Sequence, residues 1–326
     1  MTHKRSLIRT ALLCALVAGA GFSLAPVDMA HAAAPMVKTS APGFYRVMLG
    51  DFEITALSDG TVDLPVDQLL MKTTPKAVNK ALAASFEKAP LETSVNAFLV
   101  NTGSKLVLID TGAGTLFGPT LGKLLDSLKA SGYQPGQVDE IILTHMHPDH
   151  VGGLIKDGKI AFPNAVVRAD KRDADYWLAK ANLDKAADAD KGFFQGAMAS
   201  LNPYVAAHQF KPFEGNTEIV PGIRAISTVG HTPGHASYVV ESKGQKLMIW
   251  GDLVHVQAVQ FDQPSVTIHF DSDPAKAEAE RKAEFAKAAK QGYLVGAAHL
   301  AFPGLGHVRA KGHAYEWVPV NYTNIR

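Results

Sequence analysis

Two short segments rich in apolar residues, 44–49 and 52–57, predict a pair of strands, the second ending at Ser58-Asp59-Gly60. Residues 75–88 and 119–130 carry apolar positions at helical spacing, each opening on a proline, which suits a first helical turn. Between them, residues 95–100 and 106–109 read as a hairpin turning at Asn101-Thr102-Gly103. An apolar strand at 138–143 runs straight into a histidine-rich segment. A strand at 165–168, a helix at 170–180, a polar loop at 182–192 and a short helix at 193–201 follow. The second half repeats this grammar with strands at 223–229, 236–240 and 247–250, a charged amphipathic helix at 274–290 and a buried strand at 293–297. Strands, then helices, then the same order again predict an α+β fold with two mixed sheets packed face to face and helices outside.

The first residues fall outside this pattern. Lys4, Arg5 and Arg9 precede an apolar stretch over 11–25, and Ala30-His31-Ala32-Ala33-Ala34 supplies small residues for cleavage. That order is expected of a signal peptide over 1–34, with one domain over 35–326 exported to the periplasm or medium. The only cysteine, Cys14, lies in the leader, so any metal must sit on imidazole and carboxylate. The formal charge of +1 becomes −1 without the leader, with 29 basic against 30 acidic residues. No basic run with interleaved aromatics stands out, so neither nucleic acid nor a membrane is an expected partner.

Chemistry concentrates at strand ends. His145-Met146-His147-Pro148-Asp149-His150 places four ligand-type residues in six positions after an apolar strand. Gly230-His231-Thr232-Pro233-Gly234-His235, Trp250-Gly251-Asp252 and Ala298-His299 each follow another strand. A lone Asp or His after a strand is ordinarily a cap. In this order behind the first cluster, they suit two metal ions, with zinc foremost and cobalt, manganese or iron also compatible.

This pattern resembles the metallo-β-lactamase superfamily, whose fold is an αββα sandwich. By that resemblance His145, His147 and His231 hold one ion, Asp149, His150 and His299 the other, and Asp252 bridges. Asp110 in Leu108-Ile109-Asp110-Thr111-Gly112 and His235 become supporting residues behind the ligands. A β-lactamase usually lacks an aspartate at the place of Asp252, which argues against that activity.

Within the superfamily, Leu91-Glu92-Thr93-Ser94-Val95 and Gly196-Ala197-Met198-Ala199-Ser200 are similar to the methyl parathion hydrolases, secreted binuclear phosphotriesterases that form homodimers. That resemblance implies an aromatic substrate pocket of Phe117, Trp177 and Phe193. His255, Ile268 and Phe270 depart from it, standing where those enzymes are expected to carry leucine, threonine and leucine. A polar group at His255 is more like a lactonase or arylesterase, which implies a role for His255 at the substrate carbonyl. Its bland alternative is a bond to a backbone carbonyl. The expected enzyme uses a metal-bridging hydroxide, with Asp149, Asp252 and His255 as catalytic residues. It cleaves aryl lactones and aryl esters of the dihydrocoumarin type, and phosphotriesters secondarily; a dedicated phosphotriesterase is the alternative. If the leader reading is right, sequencing exported protein finds an N-terminus between Ala32 and Met36; an intact Met1 refutes it.

Overall fold

The computed structural model describes residues 34–325, so the expected leader lies outside the described residues but for Ala34. Two large sheets dominate. The first has six strands in chain order: β1 (Phe44–Leu49), β2 (Phe52–Leu64), β3 (Leu91–Asn101), β4 (Leu106–Ile109), β5 (Glu140–Ile142) and β6 (Val166–Arg168). β1 to β4 are antiparallel, while β4, β5 and β6 run parallel. The second has seven, also in chain order: β7 (Glu218–Val220), β8 (Ile223–Ser227), β9 (Ala236–Ser242), β10 (Gln245–Ile249), β11 (Leu294–Gly296), β12 (Leu305–Lys311) and β13 (Ala314–Pro319). Only β10 and β11 are parallel in this sheet.

Alternation along the central strands assigns each face. Phe98, Val100, Val107, Ile109 and Ile142 of the first sheet meet Tyr238, Val240, Leu247 and Ile249 of the second in one buried layer. The intervening Ala97, Leu99, Leu106, Leu108 and Ile141 face outward. They pack against Leu124 and Leu128 of α1 (Leu124–Ala130), Trp177 of α2 (Lys171–Trp177) and Phe194 and Leu201 of α3 (Lys191–Ala206). Val239 and Met248 do the same on the other side, against Phe285 and Ala288 of α4 (Pro274–Gln291). The result is the αββα sandwich. Among the described residues no helix is long and apolar enough to cross a membrane.

Several expected boundaries move. The second strand does not stop at Ser58-Asp59-Gly60 but passes through a bulge there and continues to Leu64. Gly60 at φ +119 permits this, because a Cβ at that position would lie 2.2 Å from the Thr120 carbonyl oxygen. The bulge aims the buried Asp59 at the loop that follows β4. Its Oδ2 accepts from the N–H of Ala113 (2.9 Å) and Gly122 (3.0 Å), and its Oδ1 from Leu124 (2.9 Å). Burial pushes this carboxyl up to about 6 in spite of those three bonds, which act to lower it. The helix expected from residue 119 therefore begins only at Leu124, where Asp59 meets its first N–H. The expected polar loop at 182–192 contains part of a short helix, Lys180–Lys185, and the start of α3. The hairpin β12–β13, absent from the pattern reading, lies at the sheet edge, where charged residues such as Arg309, Lys311 and Glu316 interrupt the apolar alternation.

Asp59→Ala leaves three backbone donors without their acceptor, so it should lower stability in urea unfolding by about 3 kcal/mol. A loss well below 1 kcal/mol would show that the loop holds itself.

Candidate metal centre

Every expected ligand follows the carboxyl end of a strand, and the ends converge on one edge of the sandwich. Asp110 follows β4 and adopts φ +62, a left-handed conformation that costs a non-glycine residue energy. Its carboxylate accepts the N–H and the hydroxyl of Thr144, both at 2.8 Å, which pins the turn after β5. His145 Nδ1 donates to Thr144 Oγ1 at 3.0 Å, and His150 Nδ1 to Asp110 Oδ2 at 2.9 Å. Thus one carboxylate orients two imidazoles. Pro148 opens a one-turn helix, Pro148–Val151, that carries Asp149 and His150.

The second half delivers its ligands in the same way. His231 and His235 lie in the loop joining β8 to β9, Asp252 follows β10 and His299 follows β11. Gly251, at φ +56, leaves room that a Cβ would deny, since it would stand 2.7 Å from His235 Nε2. His235 Nε2 accepts the Asp252 N–H at 3.1 Å and Nδ1 lies 2.8 Å from Thr228 Oγ1, so both ring nitrogens are engaged behind the bridge. Burial drives His235 down to about 3, which keeps it neutral. His299 Nδ1 donates to the Ser94 carbonyl at 3.0 Å.

The structure brings the seven expected ligands into two groups sharing Asp252: His145, His147, His231 and Asp252, then Asp149, His150, His299 and Asp252. In the first, Asp252 Oδ2 lies 3.2 Å from His231 Nε2 and 3.6 Å from His145 Nε2, and His231 Nε2 lies 3.0 Å from His147 Nδ1. In the second, Asp252 Oδ1 lies 3.2 Å from His150 Nε2 and 3.1 Å from His299 Nε2, while Asp149 Oδ2 stands 3.5 Å from each of those nitrogens. Four N or O donors about 2.0–2.1 Å from a tetrahedral ion lie about 3.3–3.4 Å from one another. The donor sets therefore fit two ions, which would share Asp252. Among the described residues, His145 Nε2, His150 Nε2 and Asp252 Oδ1 are also buried without a hydrogen-bond partner, a costly state that an ion would relieve.

Electrostatics prepare the carboxylates and two of the five imidazoles for a metal. Burial opposes charge on Asp252, but His150, His299, His145 and His255 outweigh it and hold its carboxyl well below the usual range. Asp149 is likewise held low, against burial, by His150 and His299. Burial, together with neighbouring imidazoles, keeps His145 and His147 far below 6.5 and hence neutral. Ionised carboxylates and neutral imidazoles are the forms that bind metal; against burial, the surrounding carboxylates raise His150, His231 (to about 9) and His299, so an ion would displace a proton from those three.

A small cavity of about 90 Å³ opens over the centre. It is walled by Phe117, Phe193, Phe270, Leu121 and His255 besides the ligands themselves. Phe193 lies 4.8 Å from the His147 ring and 6.0 Å from Phe270, and Phe117 is 41% exposed at the mouth. Trp177 packs edge-on against His147 and lines an adjoining outer pocket of about 600 Å³ that shares His147, Phe193 and Phe270 with the cavity. Ile268 is not brought to the wall. Its residue pairs in a short strand with Leu70, and its fully buried side chain packs with Val66, Val78 and Leu82. The turn at Asp271, whose N–H returns to the Ile268 carbonyl, lets Phe270 face the cavity while Ile268 stays in the core. His255 Nε2 lies 3.1 Å from Asp252 Oδ2, and its ring stacks on His299. The backbone-carbonyl alternative for His255 is not what this geometry shows.

Two supporting carboxylates escaped the sequence reading. Asp173 in the first turn of α2 accepts from Met146 N–H (3.1 Å), the Thr232 hydroxyl (2.9 Å) and Gly234 N–H (2.5 Å), tying the two ligand loops together. Burial raises it to about 7. Asp271 accepts from His231 Nδ1 at 2.8 Å. Each looks like a helix cap or turn residue in sequence, and only contacts across the fold reveal its partners.

The Metallo-beta-lactamase superfamily profile matches residues 91–299, and the chain belongs to that superfamily. It is a metal-dependent hydrolase with two candidate metal-binding sites. A solved hydrolase of the beta-lactamase superfamily, AbOPH, superposes with a TM-score of 0.83 at 41% identity, covering 88% of this chain and 100% of that one. AidC, a dizinc quorum-quenching lactonase solved with the product N-hexanoyl-L-homoserine, gives a TM-score of 0.80 at 28% identity over 86% of this chain and 99% of its own. An N-acyl homoserine lactonase from a Bacillus species is 28% identical over 214 residues, 60% of this chain and 77% of that protein.

Chelation should abolish activity, and zinc, cobalt or manganese should restore it. Asp252→Ala should cost far more activity and bound metal than His235→Ala, because only Asp252 faces both groups. Full turnover in metal-free protein, or equal losses in the two variants, would contradict this assignment.

Proposed function

We propose that the protein is a binuclear hydrolase of lactones and aryl esters, using zinc, with phosphotriesters as secondary substrates. The observation that carries this reading is the make-up of the cavity wall. Among the described residues, His255 is the one polar lining residue outside the two ligand groups, and its Nε2 sits at the edge of the centre beside Asp252. Two divalent ions held there supply Lewis acidity and lower the pKa of water toward neutrality.

The chain's own residues do the rest. Phe117, Phe193 and Phe270 present aromatic faces on which a planar aryl ester or lactone stacks. They exclude water and leave little room for the three arms of a phosphotriester. His255 Nε2–H, when not given to Asp252, donates to the carbonyl or leaving oxygen. Asp149 turns Oδ2 toward His150 and His299, which leaves Oδ1 to take a proton. The dizinc lactonase AidC, similar over most of this chain, supports both the metal and the substrate class. Export and homodimer formation, expected from the sequence, belong to the same proposal.

The test compares kcat/KM for an aryl lactone, an aryl ester, an N-acyl homoserine lactone and a methyl phosphotriester. Wild type should prefer a lactone or ester by a wide margin. His255→Leu should lower that turnover by about 10²-fold, the scale for losing one donor to developing charge. It should also raise phosphotriester turnover, and Phe270→Leu should add to the rise. A wild-type preference for the phosphotriester, or an equal loss on both classes in His255→Leu, would favour dedicated phosphotriester hydrolysis.

A further inference from the structure

Arg281 on α4 is fully buried, and nothing in the ligand chemistry accounts for it. Taking a guanidinium out of water is costly, and such a residue persists only where fixed partners meet it. Its Nε donates to the Leu253 carbonyl at 2.6 Å, and its Nη1 to those of Pro264 (3.1 Å) and Val266 (2.7 Å). Its Nη2 has no hydrogen-bond partner and lies 4.0 Å from Asp271 Oδ2. The arginine thus spans the segment that begins just after Asp252 and ends at Asp271.

That segment is otherwise poor in regular structure, with a four-residue helix, Gln257–Gln260, and a two-residue strand, Thr267–Ile268. Gln260 provides a second staple: its Oε1 accepts from His255 and Val256 N–H at 2.8 and 3.0 Å, and its Nε2 donates to the Val266 carbonyl at 3.0 Å. Val266 O is therefore shared by both staples. Asp271, at the far end, has one oxygen on His231 Nδ1 and the other on the Ile268 N–H, at 3.1 Å. Its position follows from where residues 264–268 are held.

We infer that Arg281 is a positioning residue of the metal centre: by clamping Pro264 and Val266 and facing Asp271, it fixes the carboxylate that aims His231. A lysine could keep the charge but not the fork, since one ammonium cannot reach three carbonyls in those directions. The orientation of a ligating imidazole by its outer partner is worth about 10–100-fold in metal affinity. The effect should fall on the group that contains His231 and spare the one built from Asp149, His150 and His299.

This inference rests on the two-metal reading, and a double-mutant cycle separates the two. Cobalt(II) is titrated into chelated protein and followed by visible absorption, for wild type, Arg281→Lys, Asp271→Asn and the double variant. Each single variant should weaken one of two bound ions by about 10–100-fold and leave the other within about threefold. The double variant should lose no more than the worse single one, because both act through Asp271. Additive losses, equal weakening of both ions or wild-type affinities in Arg281→Lys would overturn the role of Arg281. Failure of wild type to bind two ions would instead overturn the metal reading itself. Should Arg281→Lys not fold, Arg281→Met combined with Asp271→Asn removes both charges together. It should bind cobalt as Asp271→Asn does, and a further loss, or failure of this pair to fold as well, makes Arg281 a folding residue only.

Discussion

A carboxylate carried into a protein interior keeps its charge only where positive or hydrogen-bonding partners surround it. Asp252 is 3% exposed, and ring nitrogens of His145, His150, His231, His255 and His299 stand 3.1–3.6 Å from its oxygens. Five imidazoles cannot all carry protons at such range, since like charges repel as strongly as unlike ones attract. The arrangement therefore suits small cations, which the two donor groups sharing Asp252 could hold. Much else in the molecule serves to keep that crowd in place.

The two sheets come from opposite halves of the chain, so the centre exists only while they stay in register. Ala236 N–H donates to the Thr144 carbonyl at 2.8 Å and the Tyr238 hydroxyl to that of Leu143 at 2.7 Å, which locks the end of β5 to the start of β9. Asp173 closes the same gap from the helical layer by holding both ligand loops at once. On the other flank, Asp110 and Asp271 each fix an imidazole by its outer nitrogen, leaving the inner one free for an ion. Asp59 performs a comparable task for the cavity, anchoring the loop that carries Phe117 and Leu121. These carboxylates are buried and surrounded by partners from distant segments, so their positions are set by the packed core rather than by local loops.

Legibility in the sequence follows how local each feature is. Four of the seven ligands lie within residues 145–150, and the others directly follow apolar strands, so a linear pattern exposes them. The unbroken apolar runs at residues 97–100 and 106–109 likewise match burial on both faces of the sheet. Asp173, Asp271 and Arg281 were invisible for the opposite reason. Their decisive partners lie far along the chain, as with Asp271 to His231 and Asp173 to Gly234, and singly each reads as a cap or a solvated charge. Ile268 misleads in another way, because two residues apart on a strand means one face, yet the strand ends at Ile268 and the turn at Asp271 sends Phe270 elsewhere.

With both donor groups sharing Asp252, two ions are expected, one on either side of its carboxylate. Anomalous diffraction from crystals of cobalt-loaded protein, collected at the cobalt edge, tests it most directly. Two peaks per chain are expected about 3.5–4 Å apart, one on each side of the Asp252 carboxylate. A single peak, or two that leave Asp252 outside both coordination spheres, would contradict it.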